Sequence, residues 1–129
     1  MKYLLDTHTA LWFVNEHERL PLETREILLD ETHSFYISIA SAWEVAIKAS
    51  IGKLTEFKGG VKAFLTKIED SPISVLPITP DHIETVESLP FIHRDPFDRL
   101  LIAAAKTGGL IIITADENIQ KYDVKWVWR

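Results

Sequence analysis

The stretch HRDPFDRLLIAAAKTGGLIIITAD, residues 93–116, decides the fold. Asp95 followed by Pro96 reads as an N-cap and a first helical position, where a missing N–H costs nothing. Leu101, Ile102 and Ala105 recur at helical spacing and make a stripe for burial. Gly108 and Gly109 stop that helix. Residues 110–113 are an unbroken apolar run, the pattern of a parallel strand covered on both faces. Asp116 lies just past that strand's carboxyl end, the edge where ligands bind in open α/β sheets. Asp98 at a helix start and Asp116 at a strand end are therefore candidates to meet in one crevice.

Working outward, the same alternation runs through the chain. Residues 2–5 read as a first strand ended by Asp6, and 7–14 as a helix with Ala10, Leu11 and Val14 on one side. Residues 15–19 read as a loop. Leu20-Pro21 opens a second helix to about residue 30, offering Leu22, Ile27 and Leu28 to the core. Residues 35–38 read as a second strand. Residues 39–50 predict a helix that is apolar on most sides, with Ser41, Glu44 and Lys48 on one narrow polar stripe. Gly59-Gly60 precedes a helix over 61–69 carrying Phe64, Leu65 and Ile68, and 73–76 reads as a third strand. Thr79-Pro80 caps a helix to about residue 88. After Asp116, residues 117–121 make one helical turn and 124–127 a final edge strand. Strands alternating with helices predict an α/β fold with a largely parallel sheet sandwiched between helices. Right-handed crossovers bring the strand carboxyl ends to one edge.

The 129 residues suit one domain over 1–129, and no repeat, low-complexity tract or linker divides them. Hydrophobic residues make up 47% and charged residues 26%, ordinary for a globular protein. No apolar run reaches the length of a membrane span, and the opening MKYLLDTHTALWF has no small-residue cleavage site, so neither membrane nor signal peptide is expected. The lack of cysteine excludes disulfides and thiolate metal sites and fits a reducing cytoplasm. The formal net charge of -5 gives a field that does not favour a polyanion. A polyanionic substrate then needs local neutralisation by a metal or a basic patch.

Four acids stand out. Asp6 and Asp116 follow strands, Asp98 heads a helix, and Glu44 sits on a helix otherwise built for burial. One carboxylate at a helix N-terminus is favoured by roughly 0.3–1 kcal/mol. Two about 5 Å apart repel by roughly 3 kcal/mol at an effective dielectric of about 20. Clustering therefore exceeds what capping returns unless a cation is present. Oxygen-only ligands point to Mg2+ or Mn2+ rather than Zn2+, and such an ion both activates water and offsets phosphate charge. Plainer readings exist for each. Asp98 fits a capping-box-like pair with Asp95, Asp6 and Asp116 fit caps, and Glu44 with Lys48 is an i,i+4 ion pair.

Other residues carry less. His8, His17, His33, His82 and His93 show no i,i+4 pairing, which argues against a histidine zinc site. Trp12, Trp43, Trp126 and Trp128 read as core or interface residues. Arg94, Arg99, Lys48 and Lys53 are candidates to meet phosphates, or else solvated charges. Thr7, Ser38 and Thr114 flank the proposed site as possible partners of carboxylates or metal-bound water, or as simple caps.

DTHTALW after the first strand, SAWEVAIKASIGKL in the middle, and DPFDRLLIAAA and ITAD near the end together resemble the PIN-domain ribonucleases, and within them the VapC-type toxins of toxin–antitoxin pairs. The resemblance spans essentially the whole chain in order. It places the family's acidic quartet on Asp6, Glu44, Asp98 and Asp116, its Asp-Ser/Thr pair on Asp6-Thr7, and its Ser/Thr beside the last acid on Thr114. It implies an α/β/α sandwich, Mg2+- or Mn2+-dependent endonuclease activity on RNA, a homodimer, and a small antitoxin whose tail covers the acidic crevice. Asp95 is an extra carboxylate in this version of the motif. Two rivals share strand-end acids. A haloacid-dehalogenase-like phosphatase would use Asp6 as nucleophile but wants a second Asp where His8 stands. A response-regulator receiver expects its phosphorylated Asp after a later strand. A binding module that kept the fold and lost catalysis is the third alternative.

Overall fold

The computed structural model describes every residue except His17 and Glu56, so His17, in the loop expected over 15–19, lies outside the described residues. The chain runs β1 (Lys2–Leu5), α1 (Thr7–Val14), α2 (Leu22–Leu28), β2 (Ser34–Ser38), α3 (Ile39–Ser50), α4 (Gly60–Glu69), β3 (Ile73–Leu76), α5 (Pro80–Ser88), α6 (Pro96–Gly108), β4 (Ile111–Ile113), α7 (Glu117–Gln120) and β5 (Trp126–Val127). Among the described residues the strands form one sheet in the order β3-β2-β1-β4-β5. Every neighbouring pair is parallel. The winding runs outward from β1 to β3, then returns to β4 on the other side. That reversal lies between β1 and β4, the place where open α/β sheets leave a crevice.

Strand residues alternate between two cores, as a pleated strand requires. Tyr3, Leu5, Phe35, Ile37 and Ile113 join Ala10, Leu11, Leu28, Val45, Phe64 and Ile68 from α1 to α4 on one face. Leu4 and Ile112 join Leu89, Leu101, Ile102, Ala105 and Ile119, from α6, α7 and the end of α5, on the other. Leu5, Ile102, Ile112 and Phe64 are fully buried, and burial of such a side chain stabilises by about 1.5–3 kcal/mol.

Helix ends differ from the sequence expectation where local bonds intervene. Leu110 does not begin β4, because its N–H closes α6 on the Ala105 carbonyl. Gly109 takes the left-handed φ of 64° that this closure needs. Helix α2 stops at Leu28 rather than near residue 30, because Asp30 turns its carboxylate to the N–H and hydroxyl of Thr32. Strand β5 is reduced to Trp126–Val127, since the Val124 N–H bonds back to Tyr122.

The larger correction concerns α3. Its polar stripe faces inward: Ser41 and Glu44 are buried, while Trp43 is 58% exposed and Ile39 and Ile47 are also open. Periodicity sees a stripe but not which way it points. Here the inward direction is set by partners for Glu44, and an apolar row on the same helix is left outside.

Candidate active site

The parallel register brings the strand ends level. Leu5 pairs with Ile37 and with Ile113, so Asp6 is level with Ser38 on one side and Thr114 on the other. The Asp6 N–H still donates to the Ile113 carbonyl, at 3.2 Å. Beyond that bond the chain turns into α1, and Asp6 becomes its N-cap. Its Oδ1 accepts from the Thr9 N–H at 2.8 Å, and its Oδ2 accepts from the Thr114 hydroxyl. With both oxygens engaged and the residue only 5% exposed, burial pushes its pKa up while the Thr114 and Thr9 hydrogen bonds and His8 pull it down.

Thr114 is fully buried. Its oxygen also accepts the Asp116 N–H at 3.0 Å, so one hydroxyl joins two of the acids. Asp116 caps α7, accepting from the Asn118 N–H at 2.8 Å. Asp6, His8, Thr9, Trp12, Arg19, Ala115 and Asp116 line a cleft of about 280 Å³ along this edge.

Glu44 enters from α3. Its Oε1 accepts from the Thr7 hydroxyl at 2.6 Å, its Oε2 meets the Lys48 ammonium at 3.0 Å, and the Thr7 hydroxyl also lies 2.9 Å from that of Ser41. Ser38 spends its hydroxyl on the Ala40 N–H as the cap of α3. Asp98 enters from the first turn of α6, which Asp95 caps through the Phe97 and Asp98 N–H groups. Asp98 Oδ2 lies 3.0 Å from His93 Nε2. Burial first, and then the charges of Asp95, Asp116 and Glu44, push its pKa up to about 7 against the opposing His93 hydrogen bond.

Four elements thus deliver acids to one edge, and two of those acids, Glu44 and Asp116, act on Asp98 together with its neighbour Asp95. Among the described residues no three Asp, Glu or His side chains are gathered closely enough to hold one ion as they stand. Each carboxylate is turned onto its own partners, and Glu44 and Asp98 do not line the cleft shared by Asp6 and Asp116.

Arg99, expected at phosphates, is a correction. It is 7% exposed and anchored to the carbonyls of Pro90 and Val86 and to the Tyr122 hydroxyl, with Phe91 over its guanidinium. A side chain committed in this way cannot reach substrate. Lys48 is half-exposed but paired with Glu44, and Arg94 and Lys53 are exposed. Sequence reasoning missed His93, Tyr122 and Ser41. For the burial of Arg99 the available signal was positional: it precedes buried Ile102 and Ala103 by three and four residues, on the inner face of α6.

A doubly wound parallel sheet with acids along its carboxyl edge is the architecture of a hydrolytic or binding crevice. The PIN domain model matches residues 3–125, and the chain belongs to the PIN-domain family, a family of nucleases. No curated protein matches the sequence. Among solved structures, the chain is similar to VapBC2 from Rickettsia felis bound to a DNA fragment from their promoter, at 15% identity over 100% of both chains, TM-score 0.73. It is similar to DNA-bound VapBC from Salmonella typhimurium at 18% identity, over 98% of this chain and 97% of that one, TM-score 0.69. It is also similar to VapBC-1 from nontypeable Haemophilus influenzae at 17% identity, over 98% and 97%, TM-score 0.64. At such identities these likenesses show the fold.

Proposed function

We propose that the protein is a divalent-metal-dependent endoribonuclease acting as the toxin of a toxin–antitoxin pair. The observation that carries this reading is the gathering of acids at the sheet edge: Asp6 and Asp116 share the Thr114 hydroxyl in one cleft, and Asp95, Asp116 and Glu44 stand close enough to Asp98 to add to burial in raising its carboxyl. A cation among these side chains relieves that repulsion. The donor set consists of carboxylates and hydroxyls, which suits Mg2+ or Mn2+. Asp6, Glu44, Asp98 and Asp116 are the residues that would hold it, with Thr7, Ser38 and Thr114 supporting them. When bound, the ion supplies an activated water and offsets phosphate charge.

The chain's own residues do the remaining work. Asp6 and Asp116, tied through Thr114, fix one wall of the cleft. Glu44, now bonded to Thr7 and Lys48, and Asp98, held on one oxygen by His93, are the acids we assign to holding the ion with them and orienting its water. Lys48 lies beside Glu44 as the cation nearest the acids among those named, and is assigned to the phosphate.

An antitoxin partner is supported by the VapBC complexes that share this fold. A homodimer is supported by the open row Ile39, Trp43, Ile47 and Ile51, a surface that suits another protein better than water. Among the described residues no helix is long and apolar enough to cross a membrane, and we place the protein with its RNA in the cytoplasm. The phosphatase reading is disfavoured because His8 stands where a second Asp is wanted.

The test is cleavage of RNA oligonucleotides with Mg2+ or Mn2+, with chelator, and with the Asp6→Asn and Asp98→Asn proteins. Metal-dependent cleavage lost in both variants is expected. Undiminished cleavage by Asp6→Asn, or a phospho-aspartate trapped on Asp6, removes the reading.

A further inference from the structure

A chain of contacts separate from the other three acids ends on Asp98. Resting on the nuclease reading, we propose that His93 is a positioning residue. Arg99 and Tyr122 fix its ring proton on Nε2, and that N–H holds one oxygen of Asp98 so that the carboxylate presents the other to a divalent cation.

The argument starts at Tyr122, whose ring is buried. Its hydroxyl lies 3.3 Å from the His93 backbone nitrogen, 3.1 Å from Arg99 Nη1 and 2.9 Å from His93 Nδ1. A phenol has one proton to give and room to accept two. The backbone N–H and the guanidinium can only donate, and together they fill the oxygen's acceptor positions. The phenol proton then has one destination, Nδ1 of His93. A ring nitrogen that accepts there is bare, so the proton of the neutral ring sits on Nε2. Nε2 is 3.0 Å from Asp98 Oδ2.

The reverse arrangement fails on the same count. A protonated Asp98 donating to a bare Nε2 puts an N–H at Nδ1, facing an oxygen with no acceptor position left. Nor does the anchor reverse. Arg99 is always charged and is itself held by the carbonyls of Pro90 at 3.0 Å and Val86 at 3.1 Å. Water has little access, since the His93 and Asp98 side chains are 13% and 18% exposed. The result is a rigid series from the end of α5, through Arg99, Tyr122 and His93, to one carboxylate oxygen. Partners of this kind orient metal ligands, and their removal typically costs about 10–100-fold in metal affinity or activity.

The first measurement is made on metal-free protein, 15N-labelled at histidine, in mildly alkaline buffer. Long-range 1H–15N spectra are expected to show a protonated-type Nε2 and a bare-type Nδ1 for His93, and in Tyr122→Phe an Nδ1 resonance shifted by the loss of its hydrogen-bond donor. The second is Mn2+ binding by calorimetry or electron paramagnetic resonance. His93→Ala is expected to weaken it about 10–100-fold. His93→Gln, whose amide nitrogen reaches the place of Nε2, is expected to restore most of it. The KM for RNA should stay unchanged in both, because neither contact is to substrate. A proton on Nδ1 in the wild type overturns the proposal. So does Mn2+ affinity that is the same in wild type, His93→Ala and His93→Gln, or that is lost equally in both variants while their melting curves match the wild type. A wild type that neither binds Mn2+ nor cleaves RNA overturns the nuclease reading itself, and this role with it. A wild type that does both, with indifferent His93 variants, overturns the positioning role alone.

Discussion

Asp6 and Asp98 bring the same side chain to the same edge of the sheet and are held in contrasting ways. Asp6 is an N-cap with both oxygens committed, one to the Thr9 N–H and one to the Thr114 hydroxyl. Its pKa is raised by burial and lowered by each of those bonds. Asp98 has one oxygen on an imidazole, and three acids add to burial to bring it up to about 7. The fold has already settled Asp6, which is a structural part before it is a chemical one. Asp98 is where the repulsion of the edge collects. The comparison separates residues whose loss should damage the fold from residues whose loss should relieve it.

The largest expected effect does not distinguish the two. Asp6→Asn and Asp98→Asn should each lower metal-dependent RNA cleavage by about 10²–10⁴-fold, the range a positioned acid–base group contributes. A variant within tenfold of wild type breaks the pairing.

Stability against pH does distinguish them. The carboxyl of Asp98 moves from 3.8, its ordinary value, to about 7 in the fold. Between those values the folded protein keeps a proton that the unfolded chain has released. The associated stability is present in full below about pH 4 and is lost as pH rises through about 7. The urea midpoint of metal-free protein should fall across that window, and Asp98→Asn should remove this part of the slope. An unchanged slope in that variant contradicts the assignment. Asp30 works in the opposite sense: its bonds to Thr32 lower its pKa, so its small, fully exposed contribution is lost on acidification.

A smaller effect tests the structural side. Asp6→Ala leaves the Thr9 N–H and the buried Thr114 hydroxyl without an acceptor, and should cost about 1–3 kcal/mol in chemical denaturation. Asp6→Asn, still able to cap, should cost less. Thr114→Val should resemble Asp6→Ala, because it leaves an Asp6 oxygen and the Asp116 N–H unmet. Smallest of all, Trp43→Ser on the open face of α3 forfeits an edge-to-face contact with Phe97 and should cost about 0.5–1.5 kcal/mol. If that face carries the proposed homodimer, the variant should also weaken self-association in sedimentation, and an unaltered sedimentation profile removes that face from the proposal.

Much of the architecture was legible because its signals are local. Asp95-Pro96, Thr79-Pro80 and Gly108-Gly109 each mark a helix end by backbone chemistry within a few residues, and the structure shows those ends. Asp6 and Asp116 were readable as strand-end acids for the same reason. What sequence could not give was direction and distance. The stripe on α3 was visible, but its inward turn depends on Thr7, which lies 37 positions from Glu44. Arg99 read as a surface cation because arginine usually is one. Its burial depends on the hydroxyl of Tyr122, 23 positions away. His93 looked solitary because its partners are not spaced as metal ligands; one of them, Tyr122, is 29 positions distant.

The place of β1 in the middle of the sheet has a consequence for how the molecule is made. Its first neighbour, β2, follows within a few dozen residues, but β4 on its other side comes late, and Asp6 meets Thr114 across 108 positions. A ribosome adding about 5–20 residues per second has to deliver nearly the whole described chain before the two walls of the cleft face each other. A nascent or prematurely ended polypeptide carries scattered acids and no assembled edge. Synthesis that stops short of Thr114 leaves Asp6 without the hydroxyl that holds one of its oxygens, so the crevice is finished only by the last part of the sheet to be made.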